Sequence, residues 1–231
     1  MAQYIVSIII PVLNEAAIIK QTLGELKQHP DIEIVIVDGG SQDDTAAIAQ
    51  QAAKVITVVG KDRAGQMNAG AKLAQSNILL FLHADTRLPS NFIELISKTL
   101  KQPNTIAGAF ELAIDATGLS LRLIEMLVKV RSRLFSLPYG DQGIFISKQS
   151  FIELGEFADL AIMEDFEFIK RVQKKGKIAI APATVTTSGR RWQKLGVWQT
   201  TLINQLVIAG YYLGISPTKL GKFYRSRGKR K

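Results

Sequence analysis

The strongest constraint on the fold of this chain is an alternation. Between Tyr4 and Leu82, four short apolar runs rich in β-branched residues, Tyr4 to Pro11, Glu33 to Val37, Lys54 to Val59 and Asn77 to Leu82, are separated by stretches with helical spacing. Those stretches are Ala16 to Lys27, Ala46 to Ala52 and Arg63 to Ala74. Parallel strands of one sheet need a crossover of a dozen or more residues between them, usually a helix, so this spacing specifies βαβ units and a mainly parallel sheet. Further on, the pattern predicts a helix over Asn91 to Leu100, a fifth strand over Ile106 to Ile114 and a helix over Leu119 to Phe135. A strand at Gly143 to Ser147, helices at Gln149 to Leu154 and Met163 to Lys174, and a last short strand at Ile178 to Ala181 complete the series. The expected class is α/β, with helices on both faces of the sheet and a helical extension at the C-terminus.

A chain of 231 residues following one regular alternation points to a single large core. With no cysteine, disulfides and thiolate metal sites are excluded, and the composition fits a reducing compartment. The first apolar run has neither a basic flank nor a cleavage site before it, so a cytoplasmic location is expected. The formal charge is +9, but Lys219 to Lys231 holds seven Lys/Arg and no acid, leaving +2 for everything before it. Just upstream, Leu195 to Thr218 carries no charge at all, although Gln199, Asn204, Gln205, three glycines and Pro217 interrupt it. That segment reads as a membrane span, as a helix lying in the membrane interface, or as a helix packed on the protein or on a second subunit. The seven cations beside it suit an anionic lipid surface, or simply keep a tail in solution.

Chemistry is expected where strands end, because parallel sheets keep their ligands at the C-terminal edge. The run Ile78 to Leu82 passes into His83-Ala84-Asp85. A carboxylate there suits a divalent cation, with phosphate oxygens completing the shell; a turn or helix cap is the structural alternative, and His83 reads equally as a satisfied imidazole. Asp38 ends the second strand before Gly39-Gly40-Ser41, where a ligand can approach the backbone closely or the carboxylate can simply hold the turn. Arg63, Gln66 and Asn68 at the start of a helix suit phosphate and base edges, or form a solvated face. Glu164-Asp165 puts two acids in a first helical turn beside Phe166, suited to a general base or to ordinary dipole compensation. Arg190, Arg191 and Trp192 place two guanidiniums beside an indole, apt for phosphate and for ring stacking, or a surface basic pair.

Taken in order, these pieces resemble a family 2 glycosyltransferase of the GT-A fold. The resemblance rests on Ile10-Pro11-Val12-Leu13-Asn14-Glu15, Val37-Asp38-Gly39-Gly40-Ser41 with Asp44-Thr45, Arg63 through Gln66 to Asn68-Ala69-Gly70, His83-Ala84-Asp85 and Glu164-Asp165, and runs from about Val6 to Trp192. It implies residues 1–192 as the GT-A domain and 193–231 as a C-terminal helix and basic tail, belonging to the same domain or contacting a membrane or partner. It further implies a nucleoside diphosphate sugar as donor, inverting transfer to an acceptor hydroxyl, and a divalent metal, Mn²⁺ or Mg²⁺, on Asp85. Pro11, Asn14, Glu15, Asp38, Gly39, Arg63, Gln66, Asn68, Ala84, Asp85, Arg190 and Arg191 would then line the donor site, with Asp165 as the base. In two places the wording departs from the family's usual pattern. Gly39 stands where a second acid is common, and His83 replaces the first acid of an Asp-any-Asp motif, which makes His83 a candidate second metal ligand. The His-Ala-Asp site, Gly140-Asp141-Gln142-Gly143 and Gly189-Arg190-Arg191-Trp192 resemble a bacterial-type subgroup, in which Asp141, Gln142, Glu164 and Trp192 would meet sugar or acceptor; for Asp141 and Gln142 a structural loop is an equal reading.

The expected partners are a nucleotide-sugar donor and an unidentified hydroxyl acceptor, with lipid linkage, peripheral attachment to the inner face of a membrane and homo-oligomerisation left open. A nucleotidyltransferase is the second enzyme reading, because a metal carboxylate, arginines and a nucleotide-binding sheet serve phosphoryl chemistry too. The third is a noncatalytic lipid- or nucleic-acid-binding protein driven by the basic tail. Glu164-Asp165 speaks against nucleic acid, since a polyanion-binding face would not place acids beside its phosphates.

Overall fold

The computed structural model describes residues 4–60 and 62–228. Among them, the alternation appears as β1 (Val6–Val12), α1 (Ala16–Leu26), β2 (Ile32–Asp38), α2 (Thr45–Gln50), β3 (Lys54–Thr57), α3 (Arg63–Leu73) and β4 (Ile78–Phe81). The chain continues through β5 (Thr86–Arg87), α4 (Phe92–Leu100), β6 (Thr105–Asp115), α5 (Leu119–Phe135), β7 (Ile144–Ser147), α6 (Lys148–Glu153) and α7 (Glu164–Gln173). It closes with β8 (Lys177–Ser188), α8 (Arg190–Leu195), α9 (Val197–Tyr212) and α10 (Pro217–Gly228).

All eight strands form one sheet in the order β3-β2-β1-β4-β7-β6-β8-β5. Its first half is parallel throughout, and β7 then runs antiparallel between β4 and β6. Buried on both faces, β1, β2 and β4 read as near-continuous apolar runs rather than as alternations. Val6, Ile8, Ile10 and Val12 of β1 face a core completed by α1, α4 and α5, whereas Ile9 faces a second core completed by α3, α6 and α7. Gly70 lets α3 lie close on the sheet, since a Cβ there would come within 2.5 Å of the Ile9 side chain. Most of the predicted elements fall within a few residues of these bounds.

In three places the structure corrects the sequence reading. The last strand is not a short Ile178 to Ala181 segment but the twelve-residue β8. Pro182 looked like its end, yet it falls where the register with β6 shifts between Ala109 and Glu111, and such an irregularity tolerates a residue without an N–H. The two-residue β5 was not foreseen; only its pairing with Thr186 and Thr187 of β8 makes it a strand. Most of the basic tail is the helix α10, seated by Leu220 in a cluster with Met163, Phe166 and Val207, while 229–231 lie outside the described residues. Among the described residues no helix is long and apolar enough to cross a membrane. The uncharged segment ends its helix at Tyr212, and Gly214 turns the chain at φ 78°.

Candidate active site

The ends of β1 and β2 are stitched into one rim. Asn14, at φ 56°, donates its N–H to Ser41 Oγ (2.9 Å) and accepts from the Gln42 N–H at Oδ1 (2.8 Å). The Glu15 N–H binds Thr45 Oγ1 at 2.8 Å. Asp38, buried at the end of β2, accepts from the N–H groups of Gly40 and Ser41 at 3.0 Å and from the Ser41 hydroxyl. Its carboxylate thus fixes the turn that shapes the rim. Gly39 allows the close approach of Gln66: a Cβ would sit 2.3 Å from the Gln66 amide nitrogen, which donates to the Val12 carbonyl. Pro11 stays within β1, and the buried Ala84 offers its carbonyl to the Thr22 hydroxyl.

Three polar residues expected at the ligand have their side chains engaged by the framework. Gln66 is buried on Val12, as above. Asn68 both donates to the Phe157 carbonyl (2.8 Å) and accepts the Phe157 N–H (3.0 Å), tying α3 to the loop after α6. Gln142, fully buried, accepts from Arg131, the Ser132 hydroxyl and the Tyr139 N–H, and donates to the Phe110 carbonyl. With both ends engaged, Asn68 and Gln142 hold the walls of the site. Trp192 packs, partly buried, against the first core cluster, with its indole N–H lacking a hydrogen-bond partner among the described residues.

What remains free converges on two adjoining spots. At the first, one nitrogen of Arg190, Nη2, bridges Asp85 Oδ2 (3.1 Å) and Glu15 Oε2 (3.2 Å). Two carboxylate oxygens are thereby brought to one point already held by a cationic group, a donor set that fits a hard divalent cation sharing phosphate oxygens. Among the described residues no three His, Cys, Asp or Glu side chains converge, so protein ligands alone would leave such an ion's shell incomplete. His83 belongs to the second spot, a small pocket it lines with Arg63, Phe81, Gly140, Glu164 and Asp165. Burial and the neighbouring Arg63 hold its imidazole down to a pKa of about 3, so it is neutral there.

The acids of this pocket are separated by their surroundings. Glu164, 4% exposed, is pushed up to about 7 by burial and by the charge of Asp165 alongside, with Arg63, whose Nη1 is 3.7 Å away, partly opposing. Asp165, half-buried, is anchored where its Oδ2 accepts the Gly140 N–H at 2.7 Å. Next to it Asp141 is raised to about 6, chiefly by burial, opposed by Arg131 and reinforced by Asp165 and Asp85; its Oδ1 is buried without a partner among the described residues. Asp85 lies two residues along the chain from His83, so the two spots adjoin at the exit of β4.

Sequence reasoning missed Tyr224 and Tyr139. The guanidinium of Arg191 lies 3.9 Å from the Tyr224 ring centroid, and that of Arg131 lies 3.4 Å from the Tyr139 ring. Leu220, Phe223 and Tyr224 follow the i, i+3, i+4 spacing of a buried helix face, a signal masked by the cations around them.

Comparison with known proteins agrees with this architecture. A PGL/p-HBAD biosynthesis glycosyltransferase of Mycobacterium bovis is 39% identical over 97 residues, covering 38% of each chain. An undecaprenyl-phosphate 4-deoxy-4-formamido-L-arabinose transferase of Pseudomonas syringae is 32% identical over 120 residues, covering 45% of this chain and 34% of its own. The chain therefore spans well under half the length of these curated relatives. Among solved structures, a mannosyltransferase from Pyrobaculum calidifontis in complex with GDP-Man and Mn²⁺ superposes with a TM-score of 0.66 at 18% identity, over 98% of this chain and 69% of that one. S. aureus TarS in complex with UDP-GlcNAc gives 0.63 at 16% identity, over 80% and 58%. The fold is thus the GT-A fold of these glycosyltransferases. The family model described as Glycosyl transferase family 2 matches residues 7–156, well over half of the sequence, and the chain belongs to that family.

Proposed function

We propose that this chain transfers a sugar from a nucleoside diphosphate sugar to an acceptor hydroxyl, with inversion and with the help of a divalent cation. The observation that carries this reading is the exit of β4, where Asp85, paired with Glu15 through Arg190, stands two residues from His83, which lines one pocket with Asp165. The rim of Pro11, Asn14, Asp38 and Gly39, with Arg63 beyond it, shapes the nucleoside side. Glu15 and Asp85 would hold the cation, Mn²⁺ or Mg²⁺, whose chemistry is to neutralise charge growing on the departing diphosphate. Arg190, released from the two carboxylates, and Arg191 present guanidiniums to the phosphate oxygens. Asp165 accepts the proton of the acceptor hydroxyl as that oxygen attacks the anomeric carbon from the face opposite the leaving group. Glu164, holding a proton near neutrality, keeps a second negative charge away from Asp165. Asp141 offers its unpartnered oxygen to a sugar or acceptor hydroxyl. A lipid-linked acceptor is supported by the name of the pseudomonad relative, and bound nucleotide sugars in the superposed structures support the donor class.

The test is thermal stabilisation by nucleoside diphosphates and their sugars, with Mn²⁺, Mg²⁺ or chelator, in wild type and Asp85→Ala, followed by identification of the released nucleotide. Ligands that bind the folded state raise its apparent stability by mass action. A metal-dependent shift with one diphosphate, lost in Asp85→Ala, together with release of that diphosphate on turnover, is expected. Stabilisation by triphosphates alone with release of pyrophosphate would overturn the proposal in favour of nucleotidyl transfer.

A further inference from the structure

Helix α5 is built the wrong way round for a surface helix in water. Leu121, Ile124 and Ser132 face the core, as they should. The opposite side, where polar residues belong, carries Leu119, Leu123, Met126, Leu127, Val130 and Leu134, exposed by 41 to 89%. These six recur at steps of three and four, so they form one continuous stripe along the helix. Arg122, Lys129 and Arg133 fall together along one flank of it, reached by Glu125 and Glu111 at their inner side and still about half exposed. An apolar outer stripe of this length on a soluble protein marks an interaction surface.

Two neighbouring elements repeat the pattern. Helix α9, whose first residue Val197 packs on the same core cluster as α5, turns Trp198, Leu202 and Leu206 outward without a single charge along its length. Helix α10 shares a cluster with Leu137 and Tyr139, which follow α5, and carries Lys219, Lys222, Arg225 and Arg227 with no acid. We infer that α5, with the outward face of α9 and the cations of α10, docks this protein on an anionic lipid bilayer. The apolar stripe enters the boundary between headgroups and acyl chains, and the flanking guanidinium and ammonium groups meet phosphate headgroups. Charge complementarity decides the occupant. A second copy of the chain would bring the same excess of cations against itself, whereas an anionic surface attracts them and accepts several separate stripes without needing a matching shape.

The inference is independent of the transfer chemistry, and its test is co-sedimentation of the 231-residue chain with vesicles. Phosphatidylcholine vesicles are compared with vesicles that also contain phosphatidylglycerol, at low and at high salt. Wild type is expected to pellet with the anionic vesicles, more weakly at high salt, and little with phosphatidylcholine alone. The combined variant Leu123→Ser, Met126→Ser and Leu127→Ser alters only exposed side chains and should keep the wild-type melting temperature and nucleotide-induced shift, while its partitioning falls about tenfold or more. Lys222→Glu with Arg225→Glu, on the outside of α10, supplies an independent route to the same loss. Unchanged binding of both variants, or a wild type that stays in the supernatant with anionic vesicles, would overturn the inference. So would a concentration-dependent dimer that the serine variant abolishes and that does not bind vesicles; that result would assign the stripe to a second copy.

Discussion

Replacing Glu164 by Gln should make the protein more stable at alkaline pH, although it removes an ion pair. In the folded state the Glu164 carboxyl is raised from its ordinary 4.5 to about 7, because burial and the adjacent Asp165 both disfavour a second negative charge. A folded-state value above the unfolded one means that the folded protein binds more protons between the two values. The stability associated with this group is therefore fully present below about pH 4.5 and is lost as the pH rises through 7. At about 1.4 kcal/mol per pH unit, the loss by pH 8 is up to about 3 kcal/mol. The Gln side chain fills the same space and does not titrate. The opposing attraction of Arg63, 3.7 Å away, is already contained in the value of about 7, so losing it calls for no separate deduction. Relative to wild type, the variant should then gain about 2 kcal/mol between pH 5 and pH 8. His83 works in the opposite direction: its folded-state value of about 3 makes stability fall as the pH drops below 6.5, but the term is common to both proteins and cancels in the comparison. Urea unfolding at a series of pH values reads the difference directly. A gap between the two proteins that stays constant, or that moves in favour of wild type as the pH rises, would refute the assignment of Glu164 as the buried, proton-holding member of the acid pair.

Two further outcomes follow from the same geometry. Asp165→Asn should retain nucleotide-dependent thermal stabilisation while transfer, measured by release of nucleoside diphosphate in the presence of acceptor, falls by about two to four orders of magnitude; an active variant would move the base elsewhere. Arg190→Ala should tighten Mn²⁺ binding to the nucleotide-free protein by up to about fivefold in an electron paramagnetic resonance titration, since the guanidinium that now bridges Glu15 and Asp85 no longer competes. Weaker Mn²⁺ binding in that variant would mean that Arg190 organises the two carboxylates rather than occupying their site.

The rim of the site was legible in the sequence because its signal is one-dimensional. An apolar run ended by an acid, as at Val37-Asp38 and Leu82-His83-Ala84-Asp85, locates a strand and its exit together, and the sheet topology then brings those exits to one edge. Direction was less legible. Gln66 and Asn68 were read toward ligand or a solvated face, and Gln142 toward ligand or a structural loop, because a buried backbone carbonyl or N–H seeks the same donors and acceptors as a substrate does and composition cannot say which will receive the amide. His83 was a candidate second metal ligand beside Asp85 because it replaces the first acid of an Asp-any-Asp motif, with a satisfied imidazole as the alternative. In the structure Asp85 is held by Arg190, while His83 lines the pocket of Asp165.

The C-terminal segment shows most clearly where local reading stops. Packing on the protein was one reading of its uncharged segment, and Val207 there, with Leu220 of the basic stretch, packs against Met163 and Phe166, the residues that flank Glu164 and Asp165. The helix bearing the proposed base is thus braced from outside the first 192 residues. The same helix α10 carries Tyr224 to the face of Arg191, whose Nε and Nη2 find no hydrogen-bond partner among the described residues. A guanidinium stacked on an aromatic ring keeps its in-plane N–H groups available to an acceptor, and Tyr224 holds Arg191 in that orientation. Removing 193–228 would therefore take away both the packing behind the helix that bears Asp165 and the ring stacked on Arg191, so the proposed site draws on the C-terminal helices as well as on the strands.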